Sequence, residues 1–244
     1  MAEEGEKKYK LITENRETKD TSRGCTGKAT AFYTNGDKYE GDFLDGIRQG
    51  RGIYRYDVNG NNYEGDWVEN AKHGIGKMIY RKKNDDDGKI TFTELGEYHG
   101  YWENNRRHGE GVFTYPNGDI YSGWWRFGDK EGKGTYIFKE TGMKMHGDWE
   151  KGEIKRGCWI YPNGLYFEGE FKNNKPEGKG VWYFKNGNKL HGHYEQKPKE
   201  LGEDEDPPEE DGEDGAVAKP KFDLVWHTEA KIAEAAANVN SVEQ

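Results

Sequence analysis

The chain has 244 residues, of which 34% are charged and 14% aromatic, with 35 glycines and a formal net charge of −9 at pH 7. Disordered chains are poor in aromatic residues, so the composition excludes a disordered body, while the scarcity of aliphatic residues excludes an ordinary α/β enzyme and favours thin layers of aromatic β-structure. Residues 201–244 carry 13 acidic residues and three lysines, which leaves the rest nearly neutral and excludes a general nucleic-acid binder.

Residues 1–22 are rich in charge, and we expect them to be flexible. They contain no apolar stretch of the kind that a secretory signal needs, and no part of the sequence reaches the 18 apolar residues of a membrane-spanning helix. Cys25 and Cys158 are the only cysteines. Two isolated thiols fit a reducing compartment, so we expect a cytoplasmic location.

A repeat occupies residues 23–195. Its first block reads Tyr-x-Gly-x-Trp or a variant of it, and begins at residues 39, 63, 98, 121, 145, 167 and 190. In most units a Gly-x-Gly block begins 11 residues later, continues with large apolar residues at every second position, and ends in a turn sequence such as Asn-Gly. The predicted structural core of the repeats consists of Tyr39, Gly41, Phe43, Tyr63, Gly65, Trp67, Tyr98, Gly100, Trp102, Tyr121, Gly123, Trp125, Gly147, Trp149, Phe167, Gly169 and Phe171.

The period of two within each block is typical of β-strands. Each unit is therefore predicted to be a β-hairpin with a polar loop such as Leu44–Gln49, and Asn-Gly pairs join successive hairpins because both residues tolerate positive φ. The sequence predicts an all-β protein, an elongated single-layer antiparallel meander of about fourteen strands. Gly41, Gly50 and Gly52 share a face with the rings, and we expect such glycines to make room for a ladder of rings from adjacent hairpins.

Three regions depart from this pattern. In the fifth unit Gly157 comes one residue early, and a one-residue deletion in the inner loop, with Lys155 in place of the first glycine, would keep the register. An insertion at 81–95 interrupts the second unit. Residues 23–38 look like the second half of a degenerate unit, so we expect partial caps at both ends of the array.

The combination of both blocks with aromatic alternation and Asn-Gly turns resembles the MORN repeat (membrane occupation and recognition nexus) over residues 23–195. The resemblance implies β-hairpin arrays used as scaffolds and dimerisation surfaces, which also occur beside the catalytic domains of lipid kinases and methyltransferases, and in junctophilins at membrane contacts. Within the family, the array is similar to those of radial spoke head proteins of motile cilia. This similarity rests on Glu140-Thr141-Gly142, on the last unit from Phe171 to Tyr194, and on an acidic run followed by a Trp-containing segment.

Candidate chemistry is sparse. Residues Lys83 to Glu94 resemble the twelve-residue EF-hand calcium loop, with acids at positions 3 and 5, glycine at 6 and glutamate at 12. A lysine stands where the first acidic ligand belongs and the flanks are strand-like, so a polar loop is favoured and calcium binding stays open. His191 and His193 alternate on one strand face without a third ligand, and Gly-x-Gly inside strands is not a phosphate cradle. We expect no catalytic residue, no metal and no cofactor.

The C-terminal part divides in two. Residues 196–219 are predicted to be a solvated acidic linker. Residues 220–244 are predicted to be a docking segment, with an apolar cluster and a short helix from Glu229 to Ala237 that Thr228 would cap. Because such a helix is marginal alone, the segment docks on a partner, which we favour, packs on its own array, or is disordered. The candidate docking residues are Phe222, Leu224, Val225 and Trp226.

These features favour a non-enzymatic structural scaffold of a large cytoskeletal assembly. The resemblance implies the radial spoke head of a motile cilium or flagellum, located in the axoneme, with other spoke-head subunits as partners and a second copy of the chain as a further candidate. The alternative is a peripheral membrane or phosphoinositide adaptor, in which Lys7-Lys8, Arg81-Lys82-Lys83 and Arg106-Arg107 contact anionic lipid. The nearly balanced charge of the array disfavours a lipid partner.

Overall fold

A computed structural model describes residues 8–86, 88–198 and 222–229, which form one open antiparallel sheet of 17 strands without a helix. The predicted all-β meander is confirmed. The strands are β1 (Lys10–Thr13), β2 (Thr18–Lys19), β3 (Gly27–Phe32), β4 (Lys38–Leu44), β5 (Ile47–Arg55), β6 (Asn62–Val68), β7 (Ala71–Asp86), β8 (Lys89–Glu103), β9 (Arg106–Thr114), β10 (Ile120–Arg126), β11 (Asp129–Ile137), β12 (Lys144–Glu150), β13 (Glu153–Ile160), β14 (Tyr166–Lys172), β15 (Lys175–Tyr183), β16 (Lys189–Pro198) and β17 (Phe222–Thr228).

From β3 to β17, strand order in the sheet follows the order in the chain. Each strand from β3 onward pairs with the next, and β1 pairs with both β2 and β3, so β2 and β17 form the two edges. Each hairpin therefore contacts mainly its neighbours, as in other repeat proteins. One glycine of every strand from β4 to β16 lies in a continuous row across the sheet, formed by Gly41, Gly52, Gly65, Gly76, Gly100, Gly111, Gly123, Gly134, Gly147, Gly157, Gly169, Gly180 and Gly192.

The two strands of each hairpin are joined by a two-residue turn and not by the polar loop that the sequence predicts. In the first hairpin Leu44 pairs with Ile47, and Asp45 and Gly46 both have positive φ, of 49° and 83°. Positive φ at both central residues characterises a type I′ turn, whose twist matches that of the flanking strands. The remaining polar residues belong to a β-bulge, in which Asp42 alone stands opposite Gln49–Arg51.

The Asn-Gly sequences lie in the turns between hairpins, as predicted, but only the glycine has positive φ. Gly36 has a φ of 91°, whereas the side chain of Asn35 accepts a hydrogen bond from the backbone N–H of Asp37 at 3.0 Å. Asn117 makes the same bond to Asp119. The asparagine is therefore selected for its hydrogen bond, which is the ordinary role of Asx residues in turns.

The ordered array begins earlier than the sequence predicts. β1 and β2 lie within residues 8–22, which we expect to be flexible, and β1 pairs with β3 along its whole length. The side chain of Leu11 is fully buried, and Tyr9 packs edge-on against Tyr33 with 5.8 Å between ring centroids. One buried leucine and one tyrosine in a charged segment are too weak a pattern to predict a strand.

The insertion at 81–95 extends a hairpin. β7 and β8 continue past the repeat core, and pairs from Arg81–Glu94 to Asp86–Lys89 stay in register. The ring of Phe92 lies against Gly60 of the neighbouring turn. The polar loop predicted here is therefore an antiparallel ladder.

The fifth hairpin keeps the register despite its missing residue. Gly147 pairs with Gly157, and Lys155 is the single extra residue in the bulge, whereas the bulge of the first hairpin contains two extra residues. The inner turn, Lys151-Gly152, is complete. The deletion thus lies in the bulge and not in the inner loop, and the rings stay on their predicted face.

The described part of the C-terminal segment is a strand. β17 pairs with β16 from Gly192–Thr228 to Pro198–Phe222, so the array also extends past residue 195. The predicted helix from Glu229 to Ala237 lies, apart from its first residue, outside the described residues, as does most of the acidic linker.

Candidate interaction surfaces

One face of the sheet, here called the ring face, carries the predicted core. The fully buried Tyr39 contacts Phe43 of its own strand and Trp67 of the next hairpin edge-on, with 5.1 and 5.3 Å between ring centroids. Such edge-to-face contacts add to the free energy gained by burial. The same pair of contacts recurs at Tyr63, Tyr98 and Tyr121. Buried on this face are Tyr39, Phe43, Tyr63, Trp67, Tyr98, Trp102, Tyr121, Trp125, Trp149, Phe167 and Phe171.

Polar atoms of the rings tie neighbouring hairpins together. The indole Nε1 of Trp67 donates to the carbonyl oxygen of Gly52 in the preceding hairpin at 3.2 Å, and Trp102, Trp125 and Trp149 make the equivalent bond. The hydroxyl of Tyr39 donates to the carbonyl oxygen of Asp42 at 3.0 Å, and burial raises its pKa. The ring donors of these residues are thereby satisfied, as a stable interior requires, whereas the buried Nε1 atoms of Trp159 and Trp226 have no hydrogen-bond partner among the described residues.

The two glycines of Gly-x-Gly have different roles. A Cβ at Gly52 would overlap the ring of Tyr39, so this glycine makes room for a ring, as predicted, but the ring belongs to the same hairpin and not to an adjacent one. Gly50 instead has a φ of 79° in the bulge, where a Cβ would approach Asp42 on the opposite face. The first glycine thus provides backbone freedom, which corrects the ring-space role expected for it.

A row of cations crosses the ring face, of which one is buried and three are half-buried. The sequence analysis missed this row. The guanidinium of Arg48 lies 4.6 Å from the ring centroid of Trp67 and 5.1 Å from that of Tyr54. Lys72, Arg107 and Lys130 occupy the same place in the next three hairpins, each over three or four rings. Cation–π attraction offsets part of the cost of burying such a charge.

The cation row has a sequence signal. Its members follow the first tyrosine of their hairpin by nine residues, a spacing that the repeat alignment contains. In the fifth and sixth hairpins the same place is taken by Ile154 and Pro176, both fully buried. The ninth residue after the first tyrosine is therefore part of the core. A cation occupies it in the first four hairpins, where three or four rings surround it.

Lys72 is the most deeply buried of these cations. Its side chain is almost fully buried, its Nζ lies 5.0 Å from the ring centroid of Trp102, and it donates to the hydroxyl of Tyr56 at 3.2 Å. Burial, together with the charge of Arg48, lowers the pKa of Lys72 to about 8. The folded protein thus holds a lysine that can lose its proton at mildly alkaline pH.

Two turns between hairpins contain buried carboxylates. The hydroxyl of Tyr54 donates to Asp37 at 2.7 Å, and that of Tyr136 donates to Asp119 at 2.8 Å. Burial alone would raise the pKa of Asp119, but hydrogen bonds from the Lys139 N–H, from Tyr136 and from Asn117 hold the pKa below its ordinary value. Both carboxylates are held by hydrogen bonds from neighbouring strands and turns, which gives them a structural role.

The opposite face of the sheet, here called the far face, is open. Across β7–β12 a shallow groove contains Ile75, Tyr101, Val112 and Trp124, which are each between 39% and 50% exposed. Its polar lining includes His99, Glu110, Lys133 and His146. A mixed surface of exposed aromatic and polar side chains is typical of protein–protein contacts.

The predicted docking residues lie in β17. Trp226 packs on the ring face against Tyr194, with 5.0 Å between ring centroids, and its ring covers Gly192. The cluster thus packs on its own array, one of the three arrangements that the sequence left open, because β17 supplies the second strand of the seventh hairpin. Contact of these residues with a partner stays a prediction.

No group of three His, Cys, Asp or Glu side chains in the described ranges is placed to hold a metal ion. His193 stacks on His227, at 4.8 Å between ring centroids, and His227 Nε2 lies 3.0 Å from Glu195. Residues of the calcium-loop resemblance lie in extended, paired strands, with Asp87 outside the described residues. Among the residues that the structure describes, no helix is long and apolar enough to cross a membrane.

Similar proteins were found among protein families, among individual proteins and among solved structures. The MORN repeat family matches residues 39–60, 63–84, 98–120, 121–142 and 167–189. Alsin from Rattus norvegicus is 31% identical over 70 residues, 27% of this chain, and Alsin from Homo sapiens is 34% identical over 61 residues, 23% of this chain. The chain covers 4% of the length of either relative.

Two solved structures resemble the sheet. The SAS-4 TCP domain of Drosophila melanogaster, in complex with a proline-rich motif of Ana2, has a TM-score of 0.40 and 18% identity over 68% of this chain and 84% of its own. The TCP10c domain of Drosophila melanogaster Sas-4 has a TM-score of 0.36 and 15% identity over 68% of this chain and 92% of its own.

The family matches coincide with five hairpins of the structure, each with its ring, its facing glycines and its turns. The unmatched fifth hairpin has Met145 in place of the first tyrosine and lacks one bulge residue, and the seventh is interrupted before β17. Both keep the row of paired glycines. The chain is therefore a MORN-repeat protein.

Proposed function

We propose that this protein is a non-enzymatic scaffold in the radial spoke head of a motile cilium or flagellum. MORN repeats favour a scaffold or adaptor role. The observation that carries the proposal is the difference between the two faces of the sheet. The ring face is filled by the protein's own aromatic side chains and cations, whereas the far face leaves Tyr101 and Trp124 about half exposed over several hairpins.

The ciliary assignment rests on sequence similarity to radial spoke head proteins. Its supports are Glu140-Thr141-Gly142, the last complete unit, and the acidic run that precedes a Trp-containing strand. In this role the far face presents a long, stiff contact surface to other spoke-head subunits. Aromatic anchors usually dominate such contacts, and here these are Tyr101 and Trp124.

The proposal is tested in ciliated cells that lack the endogenous protein. We expect the wild-type chain to co-purify with axonemal proteins in native mass spectrometry, and Tyr101→Ala/Trp124→Ala to lose at least about tenfold of this recovery. Val58→Ala, in an exposed turn, is the matched control. A wild-type chain that never enters cilia contradicts the ciliary assignment, and equal recovery of the double variant and the control contradicts the far-face contact.

The membrane-adaptor alternative has less support from the side chains. Arg107 lies over Trp125 at 4.4 Å and Arg81 donates to the carbonyl oxygen of Gly60 at 3.2 Å, so both are engaged within the protein. Contacts with lipid headgroups by the remaining surface lysines would be screened by salt. Binding to phosphoinositide vesicles that survives physiological salt would favour the adaptor over the scaffold.

A further inference from the structure

Two aromatic residues take the place of a carboxylate in the bulges of the third and fourth hairpins, β8–β9 and β10–β11. In the first hairpin Asp42, the residue after the strand glycine, accepts a hydrogen bond from the N–H of Arg51 across the bulge at 3.1 Å, and Asp66 makes the equivalent bond in the second. Tyr101 and Trp124 stand at this position in the next two hairpins, where each is about half exposed on the far face. These bulges thus give up a local hydrogen bond for rings that gain little from burial, which points to contact with another molecule.

Glu110 lies between these two rings. It is directly opposite Trp124 on the neighbouring strand, and the Cβ atoms of such a pair are about 4.5–5.5 Å apart. On its other side, the Cβ of Tyr101 lies 3.3 Å from the place that a Cβ would take on Gly109, the preceding residue. Glu110 is exposed, and all three side chains line the far-face groove. The strands that carry the two rings are two strand spacings apart, about 9–10 Å, which leaves room for one flat group between the rings.

The carboxylate of Glu110 is not neutralised by its neighbours. Along the same line of the far face, Arg51 pairs with Asp66 at 3.1 Å and Lys133 pairs with Asp148 at 2.7 Å. No side chain of the described residues forms an ion pair with Glu110, because rings occupy the places on either side of it. The space between the rings is therefore negative, and the ligand that complements it is a cation.

We propose that Tyr101, Glu110 and Trp124 form a binding site for an arginine side chain of a partner protein. A guanidinium is planar, stacks on aromatic faces and binds a carboxylate through two parallel N–H groups, so it fits a gap that has a ring on each side and a carboxylate between them. A lysine ammonium is a compact point charge that cannot stack in this way. The arginine site rests on the proposed scaffold contact of the far face and names the chemistry of its partner.

The groove around the site suits the chain that would carry the arginine. Ile75 and Val112 provide apolar contact area, and Ser122 and Thr135 provide hydroxyls that can bond to backbone groups of a ligand. The groove runs across strands β7–β12 and not along an edge of the sheet. A segment bound there is recognised by its side chains, in contrast to a peptide that adds a strand to a sheet.

The first test titrates the full chain with N-acetylarginine methylamide and follows the indole resonance of Trp124 by NMR, with Trp124→Phe to assign it. We expect saturable binding in the millimolar range, because two cation–π contacts and one exposed ion pair are each weak. The citrulline derivative has the same shape without the charge and should cause no shift, and the lysine derivative should bind at least about threefold more weakly. No shift up to about 50 mM, or equal binding of either comparison compound, overturns the proposal.

Matched variants separate the site from the other acidic groups of the chain. We expect Glu110→Gln to weaken binding of the arginine derivative at least about fivefold. Glu64→Gln removes an exposed far-face carboxylate away from the two rings and should leave the affinity unchanged. Both variants should melt like wild type, since both side chains are exposed. Equal affinities of the two variants, or a lower melting temperature of Glu110→Gln alone, contradict a binding role for this carboxylate.

Recovery from cilia separates the arginine contact from the ciliary role. In ciliated cells that lack the endogenous protein, we expect Glu110→Gln to lose at least about fivefold of the wild-type recovery with axonemal proteins, and Glu64→Gln to lose none. If wild type enters the axoneme and Glu110→Gln is recovered equally well, the arginine contact is overturned and the scaffold role stands. If wild type never enters cilia while the arginine derivative binds as expected, the ciliary role is overturned and the arginine site stands.

Discussion

The first ring of most hairpins depends on the absence of a side chain beneath it. Tyr39 covers Gly41 and Gly52, and Trp67 donates to the carbonyl oxygen of Gly52. A single-layer sheet has no second layer to bury its core, so large flat side chains must cover the backbone itself. This explains why a chain with few aliphatic residues folds.

The contribution of a ring can be measured with two tryptophans. Trp102 is 4% exposed on the ring face, and Trp124 is 50% exposed on the far face. We expect Trp102→Ala to lower the free energy of unfolding by about 3–5 kcal/mol, because it removes a buried aromatic side chain. Trp124→Ala should change it by about 0.5 kcal/mol or less. Equal losses in urea unfolding would contradict the division between the two faces.

Lys72 makes stability depend on pH. Its folded pKa is about 8, below the ordinary value near 10.5, so between these values the unfolded chain binds more protons than the folded chain and stability rises with pH. From about pH 7.5 to 9.5 the gain is about 2 kcal/mol. Above about pH 10 the trend reverses, because burial raises the pKa of Tyr39 and similar tyrosines and only the unfolded chain loses those protons.

Two variants isolate the effect of Lys72. We expect Lys72→Met to abolish most of the rise in unfolding free energy between about pH 7.5 and 9.5. Lys77→Met removes an exposed lysine paired with Glu97 and should leave the rise intact. A rise that persists in Lys72→Met would show that another group titrates.

The ring positions and the second glycine of Gly-x-Gly could be predicted because they recur with the repeat and share strand parity. The cations could not be predicted by that reasoning, since Arg48 and Lys130 look like ordinary surface charges until their place over the rings is known. The positive φ of Gly50 could not be predicted either. The bulge changes the backbone conformation, but the same spacing of residues recurs in the sequence with or without it.

At the scale of elements, the repeat is a hairpin whose second strand can be supplied from a distance. β16 is the first strand of the seventh hairpin, and β17 completes it after 23 intervening residues, 199–221. Trp226 then covers Gly192, as Tyr39 covers Gly52 in the first hairpin. The acidic run therefore lies between the two strands of the seventh hairpin, although in the sequence it resembles a C-terminal tail.

Truncation tests this assignment. A chain ending at residue 221 loses β17 and exposes Tyr194, so we expect a lower melting temperature, as when a repeat protein loses its terminal cap. A chain ending at Glu229 keeps every described strand and should melt like wild type. If the shorter chain also melts like wild type, β17 does not stabilise the array.

Strand existence was predictable from alternation, but the ends of the array were not. β1 and β17 lie where the pattern of the repeat is absent, and each is recognisable only through its partner strand. Sequence-based reasoning favoured a second protein as the binding partner of the apolar cluster Phe222–Trp226. The sequence alone does not show that β16 needs a further strand to complete its hairpin.

At the scale of the whole molecule, strand order equals chain order from β3 to β17. Only β1 and β2 depart from it, where β2 lies outside β1. A fold of this kind needs no long-range pairing to define its topology, which is why the repeat in the sequence was enough to predict the meander. The far face then leaves aromatic side chains such as Tyr101 and Trp124 exposed.

The continuous row of thirteen paired glycines marks the line along which the sheet runs perpendicular to its strands. Backbone hydrogen bonds between antiparallel strands lie along this same line. A pull from one end of the molecule to the other would therefore load the strand pairs in series, so that the weakest pair yields first and hairpins peel away one at a time. A force along the strands would instead be shared by all the hydrogen bonds between two neighbouring strands. The sheet is thus expected to resist force along its strands better than tension across them.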